Sequence, residues 1–199
     1  FVECTQVMWE PKDAETGLWY SEFLCELLPR LAKLGPRPIV LNCGVGGLPI
    51  KPEQLAAMAP GLRLAWHLGG AWGCHGYTLK YTKDLQVESY HSLRYRRAYD
   101  YYREFCPELL GFPMILLEGG VDDVGDENKS GWLARGTLDQ YTDWLAWYDS
   151  ELMKDDQVLG VTLFKIGAPT IWKSFELEPV VPWLREHWQK AYGREKPGN

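Results

Sequence analysis

Short apolar runs alternate with longer segments of helical spacing along the whole chain, and this alternation limits the possible folds more than any other feature. A strand-like run at residues 2–9 (VECTQVMW) is followed over 13–34 by Leu18, Phe23, Leu24, Leu27, Leu28, Leu31 and Leu34 at helical spacing. Pro29 is expected to kink or interrupt that helix, because its ring removes a backbone donor and crowds the preceding turn, and Gly35 to end it. PIVLNC (38–43) is the next strand, bounded by Pro36 and the glycine-rich loop 44–47. Residues 52–67 read as a helix in two pieces split at Pro60 and Gly61. AWGCH (71–75) and PMILLE (113–118) read as strands on either side of a helical pattern over 88–106. Thr137 and Gln140 form a capping box ahead of a helix whose buried face is Leu138, Tyr141, Trp144, Leu145, Tyr148 and Leu152. VLGVTLFKI (158–166) is the last strand and 179–191 the last helix.

Strands and helices alternating in this way imply a parallel sheet with right-handed crossovers, so the C-terminal ends of all strands share one rim. Residues at that rim carry the chemistry, because the βα loops converge there while helices cover the rest of the sheet. The first strand ends in Trp9, Glu10 and Pro11, the second at Asn42, and the third at His75, Gly76 and Tyr77. The fourth ends at Glu118, and the fifth near Phe164 and Lys165 with Trp172 just beyond. Glu118 closes an apolar run, where an unpaired carboxylate is normally avoided. It is either structural, paired with Arg94, Arg96 or Arg97, or aimed at a ligand. Two carboxylates from separate strands, among His, Tyr, Asn and Trp, are what hydrolysis of a glycosidic bond requires: one neutral acid and one ionised partner.

Composition removes several alternatives. The net charge of −6, without any Lys/Arg run, argues against a nucleic-acid or membrane-surface partner, and no apolar run reaches transmembrane length. Ten Trp and eleven Tyr suit flat, hydroxyl-rich ligands such as sugars. Cys4, Cys25, Cys43, Cys74 and Cys106 are odd in number and lack metal spacing, so free buried thiols are expected. The acidic stretch Asp122, Asp123, Asp126 and Glu127 lacks the alternating ligands of a calcium loop and reads as a solvated turn. The glycines at 44, 46 and 47 lack the Gly-Lys-Ser/Thr ending of a phosphate loop. The chain starts at Phe1 without an initiator Met, which is consistent with upstream sequence having been removed and leaves the compartment open.

At these residues the chain resembles the clan A retaining glycoside hydrolases, which are (β/α)8 barrels. VMWEP (7–11) is similar to the clan's strand-four Asn-Glu-Pro motif, GCHGY (73–77) to a strand-six His-x-Tyr, and ILLEGGVDD (115–123) to the strand-seven nucleophile motif. SLRYRRAYDYY, then GW, WYDSEL and VLGVTLF, look like uncharacterised bacterial and phage members, and the likeness runs over residues 3–190. The resemblance implies Glu10 as acid/base and Glu118 as nucleophile. It also implies Trp9, Asn42, His75, Tyr77, Asp122, Trp132 and Trp172 as sugar-binding residues, with neither metal nor cofactor. Trp9 stands where the clan has Asn, and the clan's first three strands have no counterpart.

The fold class that results is α/β, an incomplete TIM-type barrel of about five parallel β/α units, in a single domain over 1–199. The expected activity is cleavage of β-glycosidic bonds by retaining double displacement on a carbohydrate substrate; the alternative is a non-catalytic carbohydrate-binding remnant of such a barrel. Five strands do not close an eight-stranded barrel, so a homo-oligomer covering the open side, or a longer parent chain, is expected.

Overall fold

The computed structural model describes residues 1–3, 10–47, 51–123 and 130–193. Five parallel strands, β1 (Val2–Glu3), β2 (Pro38–Cys43), β3 (Ala71–Thr78), β4 (Met114–Val121) and β5 (Val158–Leu163), lie in the order β1-β2-β3-β4-β5. Between and after them come α1 (Ala14–Ala32), α2 (Pro52–His67), α3 (Leu85–Glu88), α4 (Tyr95–Phe105), α5 (Trp132–Arg135), α6 (Leu138–Leu152) and α7 (Val181–Tyr192). This is the incomplete α/β barrel expected from the repeat. Of the expected first strand only Val2 and Glu3 are described, paired with Pro38 and Ile39; residues 4–9, including Trp9, lie outside the described residues.

The chain divides into two compact units. The first comprises 1–77, 84–119 and 155–163, and so holds nearly all of the sheet with α1, α2, α3 and α4. Both long helices here run unbroken through their prolines, Pro29 in α1 and Pro60 in α2, where the sequence suggested interruptions. An interior proline costs about 3 kcal/mol, but each fully buried leucine contributes about 1.5–3 kcal/mol. Tyr20, Leu24 and Leu28 on α1, and Leu55, Met58 and Leu62 on α2, are all essentially buried. Gly17 and Gly61 let the two helices approach closely: a Cβ at Gly61 would sit 3.0 Å from the Ser21 backbone, and one at Gly17 3.2 Å from the Gln54 carbonyl oxygen. Ser21 Oγ accepts the Gly61 N–H at 2.9 Å, so the amide that follows the proline is satisfied. The buried face of α1 is therefore Gly17, Tyr20, Ser21, Leu24 and Leu28, whereas Leu18, Phe23 and Leu34 of the expected stripe face solvent. The helix expected over 88–106 starts only at Tyr95, after α3 and a turn, and sets Tyr99 against Trp72, whose Nε1–H donates to the Tyr99 hydroxyl at 2.9 Å. Cys43, Cys74 and Cys106 are buried free thiols as expected, while Cys25 is exposed.

The second unit comprises 78–83, 120–154 and 164–199, the segments that follow β3 and β4 and the chain beyond β5. Its core is the predicted face of α6 apart from Leu138, which is exposed at the first turn, with Thr137 and Gln140 closing a reciprocal cap. Trp132, Tyr141, Trp144 and Tyr148 stack in series with centroid spacings of 5.2, 6.5 and 4.7 Å. α7 is held on α6 by Asp149, which pairs with His187 Nε2 at 2.9 Å and accepts from the Tyr192 hydroxyl at 2.7 Å. Among the described residues no helix is long and apolar enough to cross a membrane.

Candidate functional site

Side chains alternate along a strand, so Gly73, His75 and Tyr77 of β3 share one face. A Cβ on Gly73 would lie 2.6 Å from Leu117 Cδ1 and 3.1 Å from Ile39 Cγ2, which places Leu117 of β4 and Ile39 of β2 on that face too. Strict alternation would turn Glu118, the next residue after Leu117, to the opposite side. The β4–β5 register shifts between Leu116 and Gly119, and Glu118 stays on the face of His75 and Tyr77. A bulge is a recognised way to re-aim one side chain without ending a strand.

The Tyr77 hydroxyl donates to Glu118 Oε2 at 2.8 Å, and His75 Nδ1 lies 3.3 Å from the same oxygen. Both groups engage one oxygen, and Oε1 has no partner among the described residues. Among the described residues no arginine pairs with this carboxylate: Arg96 pairs with Asp155 at 2.8 Å, Arg97 lies over the Tyr90 ring, and Arg94 Nε is buried without a partner. Burial pushes the His75 pKa below its usual 6.5 although Glu118, Glu3 and Glu10, in decreasing order, pull it up. The ring is therefore neutral at neutral pH, with Nδ1–H directed at Glu118 and Nε2 bare and buried.

Glu10 is the second carboxylate. Its Oε1 accepts the Gly44 N–H at 2.7 Å, and a Cβ on Gly47 would fall 1.8 Å from its Cδ. The glycine-rich turn after β2 thus cradles this carboxylate with backbone alone. Glu10, like Glu118, raises the His75 pKa against the effect of burial.

Asn42 is placed by a second bulge. The β2–β3 register shifts between Val40 and Cys43, and Leu41 adopts φ +56°. A left-handed leucine costs about 1–2 kcal/mol, and a buried Tyr20 hydroxyl accepts its N–H at 2.8 Å. Asn42 Nδ2 then donates to Glu3 Oε1 at 2.6 Å. Glu3 is the group that sequence reasoning missed. Its signal was the one that drew attention to Glu118, an acid within an apolar strand, but Glu10 at the strand end took its place.

Asp122, Trp132 and Trp172 belong to the second unit. Asp122 N–H donates to the Thr78 carbonyl at 3.0 Å. Trp132 is buried against Tyr141 and donates to the Glu176 carbonyl at 2.9 Å, while Trp172 is 41% exposed and edges Phe164 and Phe175. Among the described residues no group of three His, Cys, Asp or Glu is placed to hold a metal ion.

Fold and site together define an incomplete α/β barrel whose first compact unit carries Glu3, Glu10 and Glu118. No family model matches the chain, and no curated protein does. Among solved structures, it overlaps a GH128 (subgroup I) endo-β-1,3-glucanase from Amycolatopsis mediterranei, crystallised with laminaritriose and laminaribiose, at 16% identity and a TM-score of 0.45. The match covers 77% of this chain and 54% of that one, so the chain spans about half the length of that enzyme.

Proposed function

We propose that the protein is a glycoside hydrolase that cleaves β-glycosidic bonds with retention, Glu118 acting as nucleophile and Glu10 as acid/base. The observation that carries this reading is the asymmetric Glu118 carboxylate, with Oε2 held by Tyr77 and His75 and Oε1 without a partner among the described residues. Oε1 attacks the anomeric carbon while the Glu10 carboxyl protonates the departing oxygen; Glu10 then takes a proton from water, which attacks the same carbon and releases Glu118. Asn42, His75 and Tyr77 hold the ring of a carbohydrate substrate in this reading. Retention requires the two carboxyl groups about 5–5.5 Å apart.

The engagement of Glu10 by Gly44 favours a second reading, a carbohydrate-binding remnant whose acid stays locked in its turn. Hydrolysis of a panel of aryl β-glycosides decides between them. The enzyme reading expects turnover by the parent, none by Glu118→Gln, and azide rescue of Glu10→Gln on activated substrates. Binding without turnover leaves the remnant, and full activity in Glu118→Gln removes the nucleophile assignment.

A further inference from the structure

Counting from Ile39, regular alternation would bring Leu41 and Cys43 to the His75 face of the sheet and turn Asn42 away. The register slip at Leu41 reverses this: Asn42 meets Glu3, which itself acts on His75, and Cys43 aligns with Cys74 on the other parity. Leu41 is the only non-glycine residue at positive φ among those described, and its amide proton goes to Tyr20, a side chain from α1. A strained residue held by a distant hydroxyl, one position before a polar side chain in a site, is the kind of outlier that calls for a functional explanation.

The Asn42 amide is also polarised. A carboxylate only accepts, so the NH2 group must face Glu3, and Oδ1 points elsewhere. That oxygen is buried and has no partner among the described residues, as is His75 Nε2. Both unpartnered atoms are acceptors, since the neutral His75 ring carries its proton on Nδ1. Native proteins rarely leave such atoms unsatisfied unless a ligand or water completes them. What completes them must donate, as hydroxyls do and ether or carbonyl oxygens do not.

We propose that Tyr20 is a positioning residue that holds the Leu41 bulge, so that Asn42 Oδ1, together with His75 Nε2, accepts hydrogen bonds from hydroxyls of a neutral sugar ring. The ligand class rests on the glycosidase reading; the device that presents Asn42 does not. Hydrolysis-resistant aryl thio-β-glycosides of glucose, galactose, mannose and xylose, each with its series of single deoxy analogues, test it by calorimetry without turnover. In the parent, at least one deoxy position weakens binding about 10- to 100-fold. That penalty falls below about threefold in Asn42→Ala and in Tyr20→Phe, while penalties at other positions persist. Tyr20→Phe combined with Leu41→Gly regains the penalty, because glycine adopts the left-handed conformation without the hydroxyl. A penalty unchanged by Tyr20→Phe in a folded protein overturns the positioning role. Deoxy penalties indifferent to Asn42→Ala, or absence of binding by every thioglycoside, overturn the subsite. Thioglycoside binding with the expected pattern but no turnover of the matching O-glycosides keeps this inference and removes the enzyme.

Discussion

Gly47→Ala is the sharpest single test of how Glu10 is held. The new methyl carbon would fall 1.8 Å from both Cδ and Oε2 of Glu10 and 2.1 Å from Oε1. Non-bonded heavy atoms settle near 3.5 Å, so the carboxylate must retreat by roughly 1.5 Å or more. It is the end of a flexible side chain, half-exposed, and it swings away rather than forcing the backbone open. The displacement breaks the 2.7 Å bond from Gly44, but water replaces much of it, so the change in folding stability stays within about 1 kcal/mol. The effect on chemistry is larger: misplacing a catalytic group by about 1 Å costs on the order of 100-fold. The expected outcome is a fall of about that size in kcat/KM on alkyl β-glycosides, whose leaving oxygen needs a proton, with much smaller loss on nitrophenyl glycosides. Thermal unfolding run alongside separates misplacement from unfolding. Equal losses on both substrate types with an unchanged melting temperature, or parental rates on both, would refute the cradle.

Three further outcomes are expected. Asp149→Ala removes the carboxylate that holds His187 and Tyr192 of α7, and should lower stability by about 1–2 kcal/mol in urea unfolding, with proteolysis beginning in α7; an unchanged midpoint argues against that latch. The depressed His75 pKa makes the folded state bind its proton less readily than the unfolded state, so this group's contribution is full above pH 6.5 and is lost as pH falls through the lower folded value. His75→Gln should flatten that acid-side decline, and an identical decline in both proteins counts against it. The outer position of β1 and β5 among the described strands, with Leu18, Trp19 and Phe23 exposed on α1, leads us to expect a homo-oligomer by light scattering during size exclusion. A monodisperse monomer at high concentration rejects it.

The strand-helix repeat, the α6 face and the capping box at Thr137 were legible because period and cap are local properties of sequence. So was the placing of Glu118, His75 and Tyr77 at strand ends, but their meeting on one face depends on a bulge. The bulges were not legible. Nothing in PIVLNC or MILLEGGV announces that alternation breaks at Leu41 or beside Glu118, since a bulge is fixed by the neighbouring strand and, at Leu41, by a hydroxyl on a helix 21 residues earlier. Unbroken helices through Pro29 and Pro60 were hidden for a related reason. The burial that offsets each proline lies in the partner helix, and Gly17, Ser21 and Gly61 acquire meaning only once α1 and α2 touch.

The division of the chain into two units distributes its spectroscopic and chemical reporters unequally. Trp132, Trp144, Trp147, Trp172, Trp183 and Trp188 fall in the second unit, whereas Cys25, Cys43, Cys74 and Cys106 fall in the first. Intrinsic fluorescence is therefore weighted toward the unit built around α6, and a thiol reagent reads only the one that carries the carboxylates. Two inexpensive signals, followed through the same denaturant titration, become separate clocks for the two halves of one interleaved chain. Their coincidence or separation tells whether the sheet melts with the segments that leave its strand ends or outlasts them.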